Sequence, residues 1–167
     1  LNSVGIVILK SINNYGITEV HASTLELFKD MPIAIISFAF ASFIPRMGYK
    51  KVMLIALSIV SLGLLQMYLG NSFVSAQILF AIVGCTFALI KVSVYGAIGL
   101  VTSGEQEHNS LMSTIEGTFM FGVALAYFLF PAFNNPEDPN AWLNVYLVLL
   151  GLVLLAGAFM VRIPELP

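Results

Sequence analysis

Lys10, Asp30, Lys91 and Glu116 each interrupt a long apolar run. A charge at the centre of a membrane-spanning helix costs about 2.5–3.5 kcal/mol on insertion scales, so such groups face a bundle interior or a wet cavity and pair there. Lys91 precedes the expected helix end at Val101 by ten residues, about 15 Å, and Glu116 follows the expected start at Leu111 by five, about 8 Å. Those depths let the two meet across an antiparallel hairpin. Lys10 and Asp30 are expected about 10 Å in from the opposite end, facing each other. Glu26 and Lys29 lie nearer that end. Glu26 and Asp30 share a helix face four residues apart, which disfavours double ionisation unless a cation such as Lys29 or Lys10 stands between them. Asn13 and Asn14 suit either capping or ligand contact. Two chemistries fit the set: a polar cavity that binds a solute and a coupling proton, or static ion pairs that fix helix register.

The elements that must position these groups follow from composition. Of 167 residues, 59% are hydrophobic and 10% charged, well above the apolar share of about 45–50% in soluble domains. At about 20 residues per bilayer crossing, the length allows at most about six spans. The expected fold is an all-α polytopic membrane bundle of five complete transmembrane helices and a partial first one, over about 1–15, 23–44, 51–69, 73–101, 111–131 and 141–161. The first stretch, ending at Gly16, covers only about 22 Å of a ~30 Å core, so more helix is expected upstream. Ser23 and Glu26 read as a capping box opening the second helix, and Pro32 predicts a kink beside Asp30. Gly70-Asn71-Ser72 is a tight turn. The segment from 134 to 140 is the longest loop, and Arg162 to Pro167 reads as the start of a linker.

Charge placement orients the spans. Arg46, Lys50, Lys51 and Arg162 fall on one side and no Lys or Arg falls in the connections 16–22, 70–72 and 134–140, so the 45–51 turn is expected in the cytoplasm under the positive-inside rule. His21 and His108 then lie on opposite sides and cannot share a metal or a proton. Cys85 has no second cysteine to pair with. With no clustered nucleophile and base and no cofactor motif, the residues do not point to an enzyme. A formal charge of -2, with its cations at span ends, gives no nucleic-acid footprint. Tyr68, Trp142 and Tyr146 read as interface anchors, and Gly96, Gly99, Gly117, Gly122, Gly151 and Gly157 as sites of close helix approach.

The turn A-S-F-I-P-R-M-G-Y-K-K at 41–51 resembles the loop between the second and third helices of the major facilitator superfamily, G-x-x-x-D-R-x-G-x-R/K-R/K. Arg46, Gly48, Lys50 and Lys51 fall in register, whereas Ala41 stands where the family has Gly and Pro45 where it has Asp. The resemblance implies the N-terminal six-helix half of a transporter, with a missing C-terminal six-helix half as partner and a solute site near the midplane between them. The Arg that many proton-coupled members carry in helix four is absent around Phe80 and Ala81, and Lys91 is a candidate for that charge. The G-P-x-x-G-G signature of drug antiporters is absent from helix five.

The expected function is secondary active transport of a small polar or anionic solute by alternating access, with a proton as candidate coupling ion. The expected site is Lys91, Glu116, Asp30, Lys10, Lys29, Glu26 and Asn13, in a multi-pass protein of the plasma or inner membrane. The alternative is a non-transporting membrane subunit, or a membrane-embedded enzyme, whose buried charges are structural.

Overall fold

The computed structural model describes residues 4–133, 135 and 137–164. The first three residues of the expected first helix, Asn134 and Pro136 of the expected loop, and Glu165 to Pro167 of the expected linker lie outside the described residues.

Among the described residues the chain is helical throughout, with one isolated bridge between Asn135 and Asp138. Helix α1 (Val4–Tyr15) stops at Gly16, which takes a left-handed φ of +62°, a conformation open to glycine at little cost. Helix α2 (Glu19–Phe40) begins earlier than the Ser23 box predicts. Thr18 accepts the His21 N–H at 3.4 Å, while Ser23 Oγ donates to the Glu19 carbonyl at 2.8 Å from inside the helix. Thr18 is itself a capping residue, and Glu19 behind it suits the positive end of the helix dipole. The helix runs through Pro32 but ends at Phe40 rather than near Ile44.

A turn at 41–43 leads into a short helix, α3 (Ile44–Met47), with Pro45 in its first turn, and Gly48 follows with φ +89°. Helices α4 (Tyr49–Gly70) and α5 (Phe73–Val101) meet at Asn71, in the left-handed region, and at Ser72, whose Oγ accepts the Ser75 N–H at 3.1 Å. Helix α6 (Glu105–Ala132) starts six residues before the expected Leu111. Its opening stretch is polar, but Glu105 and Glu107 sit in the first turn, where acids stabilise a helix. A 3₁₀ turn (Ala141–Leu143) precedes α7 (Asn144–Arg162).

Among the described residues, four helices are long and apolar enough to cross a membrane: α4, α5, α6 and the segment Ala141–Arg162. Their length and composition fit a helical membrane protein. Helix α2 matches α4 at 22 residues but carries Glu26, Lys29 and Asp30, and α1 has 12 described residues.

Helix α5 is the central rod, packed on one side by α2 and on another by α4; α7 lies on α4, and α1 on α2. Glycine permits the closest of these approaches. A methyl at Gly84 would run into the Lys29 backbone carbonyl, and one at Gly96 would come within 3.0 Å of the Tyr49 ring. By contrast Gly99, Gly117, Gly122, Gly151 and Gly157 face open space, so their expected packing role is not realised. The core gathers Val7, Leu25, Leu64, Phe80, Phe130, Trp142 and Tyr146. Trp142 and Tyr146 are only 2% and 3% exposed, so they are core residues rather than interface anchors. Their rings meet edge to face at 5.8 Å, and Phe130 meets Tyr146 at 6.1 Å.

Side-chain hydrogen bonds sort the connections to two ends. At one end Tyr15 donates to Asn71 at 3.0 Å, and Asn71 donates to Asn140 at 3.0 Å. At the other, Lys50 Nζ donates to the carbonyls of Val161, at 3.1 Å, and Ile163. The turn after α4 thus shares one end with the end of α1 and the approach to α7, while the start of α4 and the end of α7 share the other.

Candidate functional site

Lys91 on α5 and Glu116 on α6 meet across the hairpin: Nζ lies 3.5 Å from Oε1, with side chains 42% and 39% exposed. This is longer than the 2.7–2.9 Å usual for a charge-assisted hydrogen bond, so the pair attracts without being locked. Helical spacing surrounds the ammonium with rings. Phe87 and Tyr95, one turn before and after Lys91, hold their centroids 5.8 and 5.2 Å from Nζ, within reach of cation–π attraction. From α6, Phe119 packs against Phe87 at 5.7 Å. Phe87, Lys91, Tyr95, Ile115, Glu116 and Phe119 line a cavity of about 100 Å³.

A second ion pair lies on α2. Lys29 Nζ is 3.2 Å from Asp30 Oδ1, with side chains 12% and 64% exposed. Lys29 also lines a larger cavity of about 250 Å³, shared with Val7, Leu64, Phe80, Phe130 and Tyr146. Tyr146 Oη is buried there without a protein hydrogen-bond partner.

Of the residues expected at one site, the structure brings Lys91 to Glu116 and, separately, Lys29 to Asp30. Lys29 lines a different cavity from the α5–α6 pair. Lys10 is half-buried on α1, Asn13 is exposed near the end of that helix, and Glu26 is exposed on α2. None of the three lines the α5–α6 cavity. His108 Nδ1 lies 3.3 Å from Thr102 Oγ1 at the opposite end of the bundle from His21. Among the described residues no three His, Cys, Asp or Glu side chains gather where they could hold a metal ion.

The 41–51 turn gains a local explanation. Gly48 occupies a backbone conformation that side chains resist, Arg46 lies over the Phe43 ring at 5.9 Å, and Lys50 reaches the end of α7. Ala41, Pro45, Arg46 and Lys51 are exposed. Sequence reasoning missed the rings around Lys91, although their spacing of four from the lysine was visible. It also missed the Lys50 contact, which joins residues more than a hundred positions apart. Comparison of the chain with known protein families, with curated proteins and with solved structures finds no match.

Proposed function

We propose that this chain is the N-terminal six-helix half of a major-facilitator-like secondary transporter that moves a small polar solute by alternating access. In this reading α1, α2, α4, α5, α6 and α7 cross the plasma or inner membrane, the 41–51 turn faces the cytoplasm, and a second six-helix half completes the solute path. Lipid surrounds the outer helices. A proton is the candidate coupling ion, which would make the protein a symporter.

The observation that carries the reading is the Lys91–Glu116 pair. Two opposite charges on facing apolar helices, 3.5 Å apart and each about two-fifths exposed, border an open cavity instead of being sealed into the packing. Ionisable groups inside membrane helices are costly, and they are kept where they meet a solute or an ion. The basic turn at 41–51 and the two-ended arrangement of the connections support the same topology.

The test is uptake by the full-length protein in proteoliposomes, using labelled sugars, organic acids and amino acids with and without a pH gradient. Transport of at least one class is expected, with Lys91→Gln and Glu116→Gln reducing it at unchanged protein level. If both variants leave uptake and its pH dependence intact, the pair is structural and the proposed site is wrong.

A further inference from the structure

We infer that the α5–α6 cavity takes a small zwitterion, a solute carrying one ammonium and one carboxylate a few atoms apart. This rests on the transport reading above and specifies the solute class at the same site.

Charge balance comes first. Lys91 and Glu116 neutralise each other across 3.5 Å. An anion that binds Lys91 must displace Glu116 and leave that carboxylate uncompensated beside it. A cation that binds Glu116 strands Lys91 in the same way. Beside walls that are otherwise aromatic or aliphatic, a charge without its partner is disfavoured over a paired one. A zwitterion avoids both penalties. Its carboxylate takes the Lys91 ammonium and its own ammonium takes the Glu116 carboxylate, so one ion pair is exchanged for two and nothing is left over.

Geometry then favours insertion. The pair is longer than a tight charge-assisted hydrogen bond and its side chains are about two-fifths exposed, so parting it breaks an attraction rather than a locked contact. Lys91 keeps the Phe87 and Tyr95 rings as partners when Glu116 turns away. On α6, Phe119 lies three residues from Glu116 and lines the same cavity, offering an aromatic face to an ammonium bound at that carboxylate. The lining sets the last limit. Beyond the ion pair the cavity walls are aromatic or aliphatic, so the fitting solute is an amino acid with little or no polar side chain.

The test uses three probes that share a carbon frame: alanine, propionate, which lacks the ammonium, and ethylamine, which lacks the carboxylate. Uptake of each is measured with the full-length protein in proteoliposomes. Alanine is expected to exceed both others by roughly tenfold or more. Lys91→Gln should shift preference towards ethylamine, and Glu116→Gln towards propionate. The charge-exchanged double variant, Lys91→Glu with Glu116→Lys, keeps a neutral pair and should recover the alanine preference, which separates recognition from a failure to fold. Propionate or ethylamine moving as fast as alanine would overturn the inference and leave the transport reading standing, as would transport of other solutes but none of these three. Absence of transport for every solute tried would sink both.

Discussion

Lys50 donates to the carbonyl of Val161 at 3.1 Å, so the first turn of α4 caps the C-terminal end of α7. The last carbonyls of a helix have no partner within it, and a cation there also meets the negative end of the dipole. A lysine placed by topology thus has a second role in holding the bundle together.

Lys50→Ala should lower stability by about 1 kcal/mol, from the lost capping bonds and dipole contact. Thermal unfolding in detergent reads the change. Lys50→Arg should restore part of it, whereas Lys51→Ala, on an exposed side chain, should have little effect.

Gly84→Ala places a methyl against the Lys29 carbonyl, and overpacking of this kind costs about 1–3 kcal/mol. Gly117→Ala, facing open space, should instead be neutral or stabilising by up to about 1 kcal/mol through helix propensity. Opposite shifts in unfolding temperature are the expected result.

Neither Lys91→Gln nor Glu116→Gln should destabilise the protein by more than about 1 kcal/mol, because a pair this exposed is strongly screened. Unfolding curves close to the parent, together with lost uptake, would mark the pair as serving the solute. A large drop in stability with intact uptake would mark it as structural.

Tyr146→Phe removes a buried hydroxyl that has no protein partner and should cost little or slightly stabilise. Tyr146→Ala deletes a ring packed against Phe130 and Trp142 and should cost about 3–5 kcal/mol. The contrast is measurable by the same unfolding assay.

Single cysteines introduced at Lys51 and at Asn71, in a Cys85→Ala background, should react with a membrane-impermeant thiol reagent from opposite faces of sealed vesicles. Labelling of both from one face would refute the assigned topology.

The longest apolar runs were legible because turn residues bound them: α4 and α5 fall within two residues of expectation. Starts were harder to place. The Ser23 box competed with Thr18, and the polar opening of α6 looks like loop until its acids are weighed against the helix dipole. The Lys91–Glu116 contact was readable only in outline: the expected depths of about 15 and 8 Å differ, and it is the early start of α6 at Glu105 that brings Glu116 level with Lys91. Burial of Trp142 and Tyr146 was not, because a position near a span end does not reveal which way that face of α7 turns. Nor could spacing show which glycines meet a neighbouring backbone, and only Gly96 of those singled out does meet a neighbour.

The slender attachment of α6 has a mechanical consequence. Phe130 is its only buried residue among those described, and its main neighbour is α5, while α2 and α4 pack extensively on that central rod and α7 on α4. Of the long apolar rods, α6 is therefore held least, and the Lys91–Glu116 contact is one of its ties to α5. On the transport reading proposed above, a solute that parts that tie would free one rod and leave the rest of the frame standing.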